Sequence, residues 1–274
     1  MVGQSDPAGT LTIAAFDRCG VSAGVIPVVD WTFVTPPEAG DISIDELHEH
    51  CDQLVARHPG RLFYCAGIDP RHPGGPARME RSRARTGCVG VKIYPAAGWQ
   101  VDDPRHQWLF AAATESETPV VVHTSPLGGE PLITPNSRPA AMAPVIASFP
   151  SLTLVFAHAG FEAWWLEACD IAAGWRHVHV DLSLWQPLAE RDYGEFRRRV
   201  AVIVSRIGAH RIIFGSDSIR GPRSDPDGSA LERWIERVSA LAEPFLDDKP
   251  VLGGEELELV LAGNADRVYG LSHP

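Results

Sequence analysis

Seven short runs rich in Val and Ile, set between longer amphipathic stretches, constrain the fold of this 274-residue chain more than any other feature. They are residues 24–30 (GVIPVVD), 62–68 (LFYCAGI), 88–94 (CVGVKIY), 119–123 (PVVVH), 152–158 (LTLVFAH), 177–182 (HVHVDL) and 211–216 (RIIFGS). Short, β-branched runs with little polar alternation are what strands buried on both faces of a parallel sheet look like. Helical signals fall between them. Ser43-Ile-Asp-Glu46 reads as a capping box, after which Ile44, Leu47, Cys51, Leu54 and Val55 form one apolar face that ends at Gly60. Asp103-Pro104 opens another helix, with an acceptor at the N-cap and proline in the first turn. Regular alternation of strand and helix, with no low-complexity linker, predicts one α/β domain over residues 1–274, either a doubly wound sheet or a barrel. The length suits a barrel, which takes about 250 residues.

Charge and cysteine content narrow the class of partner. Twenty-four basic against 35 acidic residues give a formal charge of −11, which argues against nucleic acid and anionic membrane as partners and leaves a small-molecule substrate. The five cysteines are scattered, odd in number and form no C-x-x-C pair, so a disulfide framework is not expected and a reducing cytoplasm is. Residues 1–7 carry no basic leader, and no apolar run approaches a membrane span.

Chemistry gathers where the strand runs end. Three late runs finish in Val-Val-Val-His123, Val-Phe-Ala-His158 and Phe-Gly-Ser-Asp217, and an earlier one carries Val-Lys92-Ile-Tyr94. Parallel strands in a barrel release their chains at one end, so these side chains converge although they are far apart in sequence. A lone strand-end histidine is commonly structural; several polar strand ends in one chain point to an active site. Neutral imidazole and carboxylate suit a divalent metal such as Zn²⁺ or Mn²⁺, which acidifies a bound water and polarises a carbonyl.

The ordered succession VKIYP, PVVVHTS, LVFAHAG, VHVDLS, RIIFGSDS and LAGNADRVYGL resembles the amidohydrolase-related family of the amidohydrolase superfamily, across nearly the whole chain. The resemblance implies a TIM-type (β/α)8 barrel and a divalent metal, zinc or manganese. It makes His123 and Asp217 metal ligands, Asp217 also the group that moves a proton, and His158 the catalytic partner beside the substrate. Family members open on a strand ending in His-x-His. Residues 1–9 are too few and too polar for it and residues 10–19 read as the helix that follows, so seven of eight strands are expected, the first being absent. A start lying upstream, an open or partner-sealed barrel, and a metal-independent site all remain compatible with that reading.

The one His-x-His present, His48-Glu49-His50, lies inside the capped helix. Residues two apart on a helix point to nearly opposite sides, so these imidazoles do not share an ion. Lys92 is expected to hold a substrate anion rather than to bridge two metals, with Tyr94 on the same strand face. Trp185 sits in a candidate loop at the substrate mouth, and Arg220 is placed to bind a carboxylate. The leading expectation is a metal-dependent hydrolase of a small carboxylated, amide-like or lactone substrate. A non-oxidative decarboxylase of an aromatic or unsaturated acid is the alternative, and a degenerate, inactive barrel the third. An unpaired barrel edge makes a homo-oligomer plausible.

Overall fold

A computed structural model of the chain describes residues 6–34, 43–217, 225, 227–246 and 248–271. All seven expected runs are strands: β1 (Gly24–Pro27), β2 (Leu62–Gly67), β3 (Cys88–Ile93), β4 (Val120–His123), β5 (Leu154–Ala157), β6 (Val178–Asp181) and β7 (Ile212–Ile213). They form one parallel sheet in sequence order, curled with its helices outside. The order of pairing runs from β1 to β7 without a β1–β7 pair among the described residues. Several strands stop short of the sequence runs, β7 most of all, because its backbone leaves the ladder after Ile213.

Register fixes which side chains look inward. Gly67 pairs with Lys92, Lys92 with Val121, His123 with Ala157, Val155 with His179 and Asp181 with Ile213. With a period of two, this row and its alternate neighbours share one face. Cys65, Val121, Val155, Ala157 and Ile213 pack together on that inner face. The opposite face carries Val91, Ile93, Val120, Val122, Leu154, Phe156, Val178, Val180 and Ile212 into the larger core beneath the helices. Lys92, His123, His179 and Asp181 are therefore the polar members of the inner face, with Lys92, His123 and Asp181 set toward the strand C-termini.

Helix α1 (Thr10–Cys19) precedes β1, and α2 (Ile44–Arg57) follows it. Ser43 and Glu46 form the reciprocal capping box that opens α2. His48 points from α2 into the sheet, almost fully buried, and its Nε2 accepts the Gly67 N–H at 3.0 Å, tying down the end of β2. His50 is half-buried, and the two imidazoles do not work together, as helical geometry requires.

Both outer edges of the open sheet are protected, each by a different device. In β1 the Gly24 and Val28 N–H groups donate toward β2, so Val25 and Pro27 turn to the free edge. Pro27 has no N–H to offer there, which blunts the edge against pairing. In β7 the Ile213 carbonyl faces β6, where it accepts from Leu182, so Ile212 and Phe214 face away. The Phe214 N–H donates to Val260 O at 2.9 Å, and Asn264 Nδ2 donates to both Ile212 O and Ala209 O at 2.8 Å. Asn264 opens the last helix, α11 (Asn264–Tyr269), which lays Ala265, Val268 and Tyr269 against the inner cluster. The intervening helices, numbered in chain order, are α3 (Gly75–Arg83), α4 (Gln107–Glu115), α5 (Ala143–Ser148), α6 (Phe161–Gly174), α7 (Gln186–Arg191), α8 (Tyr193–Ile207), α9 (Ser229–Ser239) and α10 (Gly254–Glu258). No described helix is long and apolar enough to cross a membrane, and all five cysteines are unbridged.

Asn264 is wholly buried, so truncating it takes the side-chain donor from the Ile212 carbonyl and leaves Ala209 O with the Ile212 N–H. Asn264→Ala is expected to cost roughly 2–5 kcal/mol of unfolding free energy, read by urea denaturation. A loss below about 0.5 kcal/mol would mean that the β7 edge does not depend on this cap.

Candidate active site at the strand ends

The polar strand ends meet as expected for parallel strands. His123 closes β4, His158 follows β5 directly, Asp181 closes β6, and Lys92 lies in β3 two residues before Tyr94. The Tyr94 ring stands 4.4 Å from His123, and Trp31 lies 5.0 Å beyond Tyr94, centroid to centroid. His123 Nδ1 and His158 Nε2 are 3.1 Å apart, and His158 Nδ1 is 2.7 Å from Ser183 Oγ. The Ser183 hydroxyl donates to Asp181 Oδ1. A chain of hydrogen bonds thus runs Asp181–Ser183–His158–His123.

His158 holds its place through strained backbone. Residues His158, Ala159 and Phe161 take φ of 67°, 45° and 52°, with Gly160 at 76° between them. The left-handed region costs a side-chain-bearing residue about 1–3 kcal/mol and persists only where the surroundings impose it. Here they do. Asp181 Oδ1 accepts the His158 N–H at 2.8 Å, Trp185 Nε1 donates to His158 O at 2.8 Å, and Thr124 Oγ1 accepts the Gly160 N–H at 3.0 Å while donating to Ala157 O at 2.6 Å. Gly160 suits its φ of 76° and the close packing there, where a Cβ would sit 3.1 Å from the Trp165 backbone nitrogen. Asp217 is likewise left-handed, with φ of 48°. The segment leading to it is held by Gln186 Nε2 on Ser216 O (2.5 Å) and Trp234 Nε1 on Gly215 O (2.8 Å).

Burial sets the electrostatics. Lys92 is only 4% exposed, and desolvation pulls its pKa down while Asp181 and Asp217 pull it up. Desolvation pushes the Asp217 carboxyl up to about 6, against the opposing Lys92 charge. Burial, then the His158 and Lys92 charges, hold His123 well below the usual imidazole range, and burial brings His158 down to about 4. Burial and the Asp217 charge lift the Tyr94 hydroxyl. Among the described residues, His123 Nε2 and Asp217 Oδ2 are buried at these strand ends without a hydrogen-bond partner, as is His179 Nδ1 deeper on the same face.

Of the residues expected at the site, Lys92, Tyr94, His123, His158 and Asp217 come together. Trp185 does not line an open mouth: it is 1% exposed, packs on Phe196 and spends its indole N–H on the His158 carbonyl. Its aromatic bulk supports the catalytic turn from below. Arg220 lies outside the described residues. Asp181 and Ser183 were not singled out, although the run VHVDLS contains the signal: alternation puts Asp181 on the inner face at a strand end. A second polar pair, Asp30 and His72, also sits at this end of the sheet, with His72 Nε2 2.8 Å from Asp30 Oδ2.

A catalytic zinc usually takes three protein ligands. The unpaired His123 Nε2 and Asp217 Oδ2 are donors of the right kind. Both ring nitrogens of His158 are engaged, and no group of three or more His, Cys, Asp or Glu side chains able to hold a metal ion exists among the described residues. The described residues therefore do not make a metal centre by themselves.

Comparison with known proteins places this geometry in context. The sequence matches the family described as Amidohydrolase over residues 14–271. Protein fluG of Emericella nidulans is 25% identical over 177 residues, 61% of this chain, and the match spans a fifth (20%) of that curated relative's length. The solved structure of 2,6-dihydroxybenzoate decarboxylase from Rhizobium superposes with a TM-score of 0.66 at 15% identity, covering 95% of this chain and 87% of the other. An amidohydrolase from Burkholderia multivorans with bound zinc gives a TM-score of 0.66 at 18% identity, covering 96% and 88%. At these identities the structural likeness concerns the fold.

The buried histidines make stability fall in acid. His48 and His158 sit at about 4 and His179 at about 3, all lowered chiefly by desolvation, and His123 is lowered with them. Unfolding returns each to an ordinary value near 6.5 and takes up its proton, so their contribution is full above that value and lost as pH falls toward 4. Asp217 acts oppositely, because its raised pKa binds a proton in the folded state first. Each histidine so lowered adds at most about 1.4 kcal/mol per pH unit to that fall, and Asp217 subtracts from it. Urea melts from pH 7 to pH 5 are expected to show this fall, and a flat profile would contradict it.

Proposed function

The chain belongs to the amidohydrolase family, and from that premise we propose that it is a hydrolase of a small carboxylated substrate carrying an amide-like or lactone bond. The observation that carries the reading is Asp217: a half-buried carboxylate with one buried, unpaired oxygen and a pKa pushed up to about 6, in the field of a buried ammonium. A general base works best when its pKa lies near the working pH. In this reading Asp217 takes the proton of the attacking water and returns it to the leaving group. Lys92 draws the substrate carboxylate inward, since a buried ammonium favours an anion beside it. His123 Nε2 accepts a hydrogen bond from the reacting water or substrate, and Tyr94 and Trp31 form the adjoining aromatic wall.

The same group supports a second reading. A carboxyl that is still partly protonated just below neutrality can also deliver a proton to carbon as carbon dioxide leaves an aromatic or unsaturated acid. The fold shared with the Rhizobium decarboxylase is compatible with this.

A panel of carboxylated lactones, esters and amides, run beside a panel of aromatic acids assayed for carbon dioxide release, separates the two. For hydrolysis, kcat/KM is expected to rise with pH through about 6, the free-enzyme value of Asp217. Asp217→Asn should lower kcat by about 100-fold or more, and Lys92→Met should raise KM chiefly. Turnover that survives Asp217→Asn unchanged would remove this carboxylate from the mechanism.

A further inference from the structure

Proton direction along the Asp181–Ser183–His158–His123 chain follows from which atoms have protons to give. Asp181 Oδ1 already accepts the His158 N–H at 2.8 Å and the Ser183 N–H at 3.0 Å, and the Ser183 hydroxyl oxygen lies in hydrogen-bond contact with it as well. A carboxylate has no proton to offer, so the single proton between these two oxygens is the serine's. Turned the other way, the hydroxyl would leave two sets of lone pairs facing each other in a buried contact, which is strongly unfavourable. Ser183 Oγ is therefore an acceptor toward its other neighbour, His158 Nδ1, at 2.7 Å. His158 must carry its proton on Nδ1.

The consequence passes on to the next ring. With its one ring proton given to Ser183, a neutral His158 has a bare lone pair at Nε2 and accepts there. The reverse order would aim an unsatisfied N–H from His123 Nε2 into a buried space that offers it no acceptor. The partner of His158 Nε2 at 3.1 Å is His123 Nδ1, which must then be the protonated nitrogen of His123. That leaves Nε2 of His123 unprotonated, and this is the atom found buried without a partner. We infer that Asp181 and Ser183 are positioning residues that hold His158 and His123 in the Nδ1–H tautomer, so that His123 presents a bare Nε2 lone pair to the site. The opposite tautomer would place an N–H there, unable to accept a proton or to bind an electrophile. The role extends beyond hydrolysis, since either reaction class uses the same lone pair.

Long-range proton–nitrogen correlation spectra of uniformly 15N-labelled protein at neutral pH read the tautomers directly and need no turnover. They therefore succeed or fail independently of the proposed reaction. In the native chain, both His123 and His158 are expected to show a protonated Nδ1 and an unprotonated Nε2. A protonated Nε2 on either ring would overturn the inference. Ser183→Ala is expected to lose the single-tautomer signature of both rings, whereas Ser183→Thr, which retains the hydroxyl, keeps it. If Ser183→Ala does not fold, Ser183→Cys replaces it, because a thiol is a poor partner for both neighbours. Unchanged tautomers in whichever of these two folds would refute the positioning role.

Discussion

One carboxylate oxygen, Asp181 Oδ1, accepts hydrogen bonds from the His158 N–H, the Ser183 N–H and the Ser183 hydroxyl, and the candidate site depends on that convergence. The backbone bond to His158 pins the first residue of a left-handed turn that would otherwise relax, while Trp185 holds the same residue by its carbonyl. The hydroxyl bond orients the ring of the same residue. Position and orientation of His158 are thus fixed through a single atom of the neighbouring strand. Charge-assisted hydrogen bonds are roughly twice as strong as neutral ones, which suits a group that must hold strained backbone in place.

That arrangement is available only because the sheet is parallel and its register regular. Asp181 and His158 reach each other because β5 and β6 run side by side and end at the same level. Lys92, His123 and Asp217 join them from other strands for the same reason. The sheet in turn needs its edges covered. Pro27 removes a donor from one edge, and Asn264 and Val260 occupy donors and acceptors of the other. The closing helix α11 then fills the inner row with Ala265, Val268 and Tyr269. An open parallel sheet is kept from exposing unpaired backbone by side-chain and loop devices rather than by a further strand among the described residues.

Much of this was legible in the sequence, and the exceptions have physical reasons. Short apolar runs fixed all seven strands because burial on both faces leaves little room for polar residues, and the capping box at Ser43 marked the start of α2. Strand-end position brought Lys92, His123, His158 and Asp217 together, since parallel topology dictates that ends converge. Trp185 was misjudged as a mouth residue because sequence position places a residue in a loop but does not say which way the ring turns. Asp181 and Ser183 were passed over because each is unremarkable alone. Their importance arises from a hydrogen-bond contact with a histidine more than twenty positions earlier. Edge capping by Asn264 was equally hidden, for an asparagine opening a helix looks like a local feature, whereas its two bonds reach back more than fifty residues.

The two carboxylates of the face have been given opposite surroundings, and that contrast explains why one fold can hold a fixed frame and a mobile proton side by side. Asp181 is saturated on one oxygen by three donors and has no reason to move. Asp217 is half-buried with an unpaired oxygen, and its desolvation is only partly offset by Lys92, which leaves its pKa pushed up to about 6. Separating two like groups by environment is how active sites assign one to structure and the other to proton transfer. Lys92 couples them, because its charge is felt by both. Removing that charge would leave Asp217 with desolvation and the Asp181 charge, both raising, and drive its pKa higher still. In the proposed reaction the ammonium therefore tunes the base as well as attracting the substrate, and a loss of activity in Lys92→Met has to be divided between those two effects through its pH profile.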